Sequence, residues 1–310
     1  MASRPGANSQ STLAASPGAR CRAHQARIGH DVAVPDGHVH PPTDGPRVVG
    51  ITIAPVKGLA LSSRQEVRLG PIGVREDRAF FLVDARRRMV NGKTLGRLVQ
   101  VAADFSADRG ALTLTFPDGH SVAGAVALAE PQPVQFYRGQ FDAQTVIGPW
   151  AAALSEFCGR EVVVCRAPLT RQGVDRGVRG AISLVSRASL DALRRAGAVA
   201  APIDPRRFRM LLEIDGVGAH AEDAWRGRTL GIGEATVRIN DLVGRCAVTT
   251  HDPDTGAVDL PTLHILRRYR GNIDSVEKLP FGVFGEVIRP GRVRLGDSVT
   301  PEPIPRFVSI

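Results

Sequence analysis

From Val48 onward the chain is a succession of short β runs broken by turn chemistry, and this texture restricts the fold more than any single motif. The runs are Val48 to Val56, Arg78 to Asp84, Leu98 to Phe105, Ala111 to Phe116 and Pro133 to Tyr137. Gly70-Pro71, Pro117-Asp118-Gly119 and Arg138-Gly139 separate them, and each dipeptide or tripeptide presets a reversal of direction. Many short strands with few helices predict a small barrel or meander. One helix fits at Pro149 to Cys158: Pro149 suits the first helical position, Gly159 follows the end, and Trp150, Leu154 and Phe157 share a face.

The second half mixes elements. Ser186 is placed to cap a helix running through Ala196, with Leu190 and Leu193 inward and Gly197 as the stop. Strands are predicted at Arg209 to Ile214, Arg228 to Ile232, Ala235 to Ile239 and Arg245 to Thr250. A helix follows over Pro261 to Arg270, and two closing strands, Phe284 to Ile288 and Arg292 to Leu295, flank Pro290-Gly291. The fold class is therefore mostly β, of α+β type. Residues 1–46 are rich in Ala, Ser, Pro, Gly, His and Arg without apolar periodicity, and read as a disordered tail. His24, His30, His38 and His40 fall within it, and a floppy polar segment accounts for them better than metal binding does.

Composition removes several function classes. The 310 residues carry a net charge of +9, but only three of the 40 basic residues are lysines: Lys57, Lys93 and Lys278. The arginine bias, with abundant Ala, Gly and Pro, reads as GC-rich coding, so charge is a weak clue to function. A phosphate-bearing small ligand suits Arg. Two Trp and two Tyr leave few stacking residues for nucleic acid, and none is expected as a partner. Four cysteines without a C-x-x-C pair exclude a disulfide scaffold, a structural zinc site and the common cluster spacings. The sequence shows no long uncharged apolar run and no secretory h-region, so no membrane span is expected and the setting reads as reducing and cytoplasmic.

Cys246 is the leading candidate for chemistry. It lies in Gly244-Arg245-Cys246-Ala247-Val248-Thr249-Thr250, before the tight turn Asp252-Pro253-Asp254-Thr255-Gly256. On a strand, Gly244, Val248 and Thr250 would share its face and leave room against the sulfur, with Arg245 pointing away. Two readings stand on chemistry alone: a small buried thiol, or a thiolate presented to a ligand. Asp252 is a turn former that also qualifies as an acid/base candidate. His251 and His264 lack a ligand partner at metal spacing and read as structural.

Arg245-Cys246, Thr249-Thr250 and Asp252 to Gly256 closely resemble the MOSC domain family, in particular its amidoxime-reducing component group. Ala54-Pro55-Val56-Lys57, Asp77-Arg78-Ala79-Phe80 and Gly96-Arg97-Leu98-Val99 are similar to landmarks of the associated N-terminal β-barrel domain. Leu184 to Leu190, Arg207-Phe208-Arg209, Ala221 to Trp225 and Pro290 to Asp297 then follow in the family's order, over roughly residues 48 to 300. The resemblance implies an N-terminal β-barrel-like domain (47–170) followed by a MOSC β-barrel domain (171–310) with a few helices. It implies the molybdenum cofactor, a molybdopterin whose metal takes Cys246 as ligand. It places Lys57, Arg78, Lys93, Ser186 and Arg209 on that cofactor, and Ser186, at a helix start, also suits an anion. The implied activity is oxidoreductase: reduction of N-hydroxylated small molecules with electrons from a separate donor protein, since no Gly-x-Gly-x-x-Gly fingerprint or cluster spacing is seen. A sulfur carrier using a Cys246 persulfide, and a non-catalytic cofactor-binding module, are the alternative readings. The chain departs from the family pattern at Gly58, Gly244 and Met210-Leu211, where Ser, Ser and Pro-Asn are usual.

Overall fold

The computed structural model describes residues 45–137, 139–168 and 177–302. The tail, its four histidines and the expected boundary at 170/171 lie outside the described residues. Among those described, the class is mostly β with three α-helices: α1 (Trp150–Cys158), α2 (Arg187–Ala196) and α3 (Thr262–Arg270).

The largest sheet has eight strands. In spatial order they are 299–301, 229–232, 235–244, 280–289, 182–186, 212–215, 47–53 and 62–63. The opening strand also reaches into the second half of the chain: Arg47–Ile53 pairs antiparallel with Leu212–Asp215, Arg47 opposite Asp215 and Ile51 opposite Leu212. Glu66–Gly70 likewise pairs with Gly291–Arg294. The reason is burial: Val48, Ile51 and Ile53 close a single apolar cluster with Leu184, Leu212, Ile239 and Val283, and a register shift between Val48 and Gly50 brings Val48 to the same face as the alternating Ile51 and Ile53.

The N-terminal half keeps its own sheets, five strands ordered 127–136, 139–147, 163–166, 80–83 and 89–90, and three over 102–106, 111–115 and 121–125. Phe80, Phe105, Leu114 and Trp150 centre its core. Trp150 opens α1 fully buried and donates its indole N–H to the Leu112 carbonyl at 3.1 Å. Gly159 closes α1 in the left-handed region, φ 65°, returning its N–H to the last turn. Pro149 sits at the cap rather than the first helical position.

Three predicted strands end differently. Gly96–Gln100 is a 3-10 turn before the strand Ala102–Ser106, with Leu98 and Val101 three apart and both inward. Arg209 ends another 3-10 turn, Pro205–Phe208, in the left-handed region, and the strand starts only at Leu212. Ala247–Thr250 is also a 3-10 turn, because the Thr249 and Thr250 hydroxyls donate back to the carbonyls of Cys246 (3.0 Å) and Ala247 (2.6 Å).

His220 joins α2 to α3. Its N–H donates to Ser189 Oγ at 2.8 Å, and its Nε2 meets the Tyr269 hydroxyl at 2.8 Å. Burial, reinforced by Arg270, lowers its pKa from 6.5 to about 4. The imidazole is thus neutral when folded, while the unfolded chain protonates it first as pH falls. Stability should be fully present above about pH 6.5 and decline toward pH 4. Urea unfolding across that window should show the decline, and His220→Asn, which tolerates the same backbone, should flatten the slope by up to one proton. An unchanged slope in the variant would place the titration elsewhere.

Candidate functional site

A cleft of about 180 Å³ opens where the N-terminal sheets meet the large sheet. Six cations line it (Lys57, Arg78, Lys93, Arg207, Arg209 and Arg245), and among the described residues no Asp or Glu does. Cys246 opens into it. The residue caps the 3-10 turn Ala247–Thr250 with extended backbone, its side chain makes no capping hydrogen bond, and it is exposed. The buried-thiol reading is thereby excluded for Cys246, while it describes Cys165, whose pKa burial raises to about 11.

The arginines are fixed by the backbone they cross. Arg78 sits in the left-handed region, φ 51°, beside Asp77, whose Oδ1 accepts the Ala54 N–H at 2.8 Å. Arg78 Nη2 donates to the Arg209 carbonyl at 2.6 Å, and Arg209 Nη2 returns to the Leu59 carbonyl at 2.8 Å. The two guanidiniums thus stitch the halves together along the cleft. Arg207 is held on the Asp259 carboxylate (2.7 and 2.5 Å), which keeps it firmly charged. Arg245, expected to point away from Cys246, threads inward to the carbonyls of Phe281 (2.8 Å) and Phe208 (2.9 Å) and to Met210 Sδ (3.0 Å). Met210, at a departure from the family pattern, thereby serves as the arginine's third acceptor. Gly244 is another: a Cβ there would stand 2.4 Å from Glu277 Oε2, so the usual Ser would displace that carboxylate.

Of the candidate residues, the structure brings Lys57, Arg78, Lys93, Arg209 and Cys246 to one cleft. Two lie elsewhere. Ser186 is fully buried: its Oγ accepts the Ser189 N–H at 3.1 Å, and its own N–H goes to Glu222 Oε1, so the cap consumes it. Asp252 stands just beyond the cleft lining, in an adjoining recess with Arg207 and Arg209, its Oδ2 3.8 Å from Arg207 Nη2. Its Oδ1 accepts the N–H and hydroxyl of Thr255 (2.7 and 2.8 Å), and these bonds hold the carboxyl below its ordinary pKa, which suits a turn rather than a proton donor. Arg207, Arg245 and Tyr137 line the cleft without having been expected there; for Arg207 the available signal was the family landmark it shares with Arg209.

This chemistry fits a phosphate-bearing, metal-carrying dithiolene ligand: cations for the phosphate, and one soft donor for a metal already held by sulfur. Among the described residues no three His, Cys, Asp or Glu converge on a metal site.

Among the described residues, a mostly-β fold brings the exposed Cys246 thiol to a seam lined by six cations. Residues 171–300 match the MOSC domain and 45–161 the MOSC N-terminal beta barrel domain, and the chain belongs to the MOSC family. Mitochondrial amidoxime-reducing component 1 of Mus musculus is 38% identical over 98 residues, 30% of this chain and 28% of that protein. Mitochondrial amidoxime reducing component 2 of Rattus norvegicus is 34% identical over 124 residues, 38% and 36% of the two chains. The matched stretches thus span about a third of each relative. The YUAD protein from Bacillus subtilis aligns over 82% of this chain and 93% of its own at 11% identity, with a TM-score of 0.38. Among the described residues no helix is long and apolar enough to cross a membrane.

Proposed function

We propose that the chain is a molybdenum-cofactor oxidoreductase that reduces N-hydroxylated small molecules. The observation that carries this reading is the exposed Cys246 thiol at a cleft lined by six cations and, among the described residues, no carboxylate. The amidoxime-reducing relatives support it, at modest identity. Cys246 would ligate the metal, while Lys57, Arg78 and Arg209 would hold the phosphate-bearing pterin, with Lys93, the exposed lysine of the lining, left facing the open side of the cleft. The cofactor, when bound, supplies the two-electron chemistry. The chain's own residues fix its position, neutralise its charge and leave one side of the cleft open to substrate.

In the overall reaction the N–O bond breaks, two electrons and two protons enter, and an amine-type nitrogen and water leave. The electrons come from a separate redox protein. A net charge of +9 favours an acidic one, and a cytoplasmic, reducing setting keeps the thiol available.

The test is to purify the chain from a host that makes the cofactor, quantify molybdenum and oxidised-pterin fluorescence, and follow benzamidoxime reduction with a chemical electron donor. One metal per chain with turnover is the expected result. Metal without turnover would make it a binding module. A cyanide-labile sulfur on Cys246 in the absence of metal would make it a sulfur carrier.

A further inference from the structure

Tyr137 occupies a position that turn chemistry gives to a different residue. The strands Ala127–Phe136 and Gly139–Ile147 form a hairpin whose register ends at Phe136 opposite Gly139. A two-residue connection selects Asn, Asp or Gly, which accept positive φ. Tyr137 stands there at φ 53°, an outlier for a bulky side chain and the kind of local strain that points to function.

Its ring stands at the cleft. Tyr137 is 52% exposed and lines the same cavity as Cys246. Phe136 supports the ring from behind, edge-on with centroids 5.0 Å apart. Two of the chain's three lysines attend it: Lys57 Nζ is 5.8 Å and Lys93 Nζ 5.9 Å from its centroid. Lys93 is the exposed one, on a loop pinned by the Asn91 carboxamide, which accepts the Lys93 N–H at 2.9 Å. The mouth therefore combines a half-open aromatic surface with the ammonium of an exposed lysine, in a cleft whose described lining holds no carboxylate.

Resting on the reductase reading, we propose that Tyr137 and Lys93 form a substrate-anchoring site that selects planar, aromatic N-hydroxylated compounds bearing an anionic group. The ring of the substrate stacks on or against Tyr137, and its carboxylate or phosphate meets Lys93. The N–O end then points inward, toward Cys246.

Binding rather than turnover tests this. Three probes are titrated calorimetrically into the full chain as purified with its cofactor: 4-carboxybenzamidoxime, benzamidoxime and acetamidoxime. Affinity should fall in that order. Tyr137→Asn, which removes the ring while suiting the backbone, should weaken the two aromatic probes by about 3- to 10-fold and leave acetamidoxime unchanged. Tyr137→Phe should retain wild-type order. Lys93→Gln should erase the carboxylate preference, by about 2- to 5-fold, and raising salt should do the same to wild type. Equal binding of all three probes by wild type, no detectable binding, or an unaltered order in Tyr137→Asn would overturn the proposal. A chain that keeps the binding order yet neither retains molybdenum nor cleaves N–O would sink the reductase reading and leave the anchoring site standing.

Discussion

Cys246→Ser is expected to abolish molybdenum retention and amidoxime reduction while leaving the fold as stable as wild type, or slightly more so. The two halves of this expectation have separate physical origins. Cys246 is the cap residue of the 3-10 turn Ala247–Thr250, yet its sulfur makes no capping hydrogen bond. Serine is among the preferred caps, and its shorter, stronger acceptor can take up a free N–H of the turn, an effect on the order of 0.5–1 kcal/mol. The exposed thiol leaves no cavity behind when it is replaced. A hydroxyl, in contrast, is a poor ligand for a soft, sulfur-bound metal. Metal content and thermal unfolding should therefore move independently. A variant that loses several degrees of stability along with its metal would mean that the thiol packs rather than ligates. One that keeps its metal would remove Cys246 from the centre.

Legibility in the sequence followed the range of the interaction. Helix α1, with Gly159 beyond its end, and α2, with Ser186 before its start, were readable because caps and periodicity act within a few residues. The pairing of Arg47–Ile53 with Leu212–Asp215 was not, since nothing local distinguishes a strand that serves its own half from one that crosses to the other. The site divides in the same way. Lys57, Arg78, Lys93, Arg209 and Cys246 could be named from the ordered family motifs. Ser186 and Asp252 are held instead by their nearest polar partners, Ser189 and Thr255, which engage both side chains locally. Arg245 and Tyr137 are part of the cleft only through neighbours far along the chain: Arg245 through Phe281 and Phe208, Tyr137 through Lys57 and Lys93. No spacing rule reports those contacts. The Cys246 segment shows the limit most plainly. Its alternation suggested a strand, and two threonine hydroxyls turned it into a helical turn that leaves the sulfur exposed.

Gly256→Ala is expected to lower thermal stability steeply and to loosen the cleft, because the seam beside the site depends on two glycines in backbone contact. A Cβ on Gly256 would stand 2.1 Å from the Gly96 carbonyl oxygen and 2.2 Å from its carbon; a Cβ on Gly96 would stand 2.2 Å from the Gly256 oxygen. Both obstacles are main chain, so no rotamer relieves them. Gly256 also sits at φ 75°, where alanine costs roughly 1–2 kcal/mol, and overpacking adds about 1–3 kcal/mol. A total near 3 kcal/mol corresponds to about 5 °C for a chain of this size. The contact lies where the turn after Cys246 meets the segment after the Lys93 loop, next to the hydrogen bond from Gln100 Nε2 to the Thr255 carbonyl at 3.2 Å. Forcing it apart moves Cys246 away from the cations it faces, so molybdenum retention should fall with stability. The discriminating measurement is the double variant. If one shared contact underlies both effects, the second alanine costs little once the first has opened the seam, and Gly96→Ala with Gly256→Ala should be less destabilising than their sum by about 1–3 kcal/mol. Strict additivity would mean that the two glycines serve separate turns and that the seam is held by the arginine stitches alone.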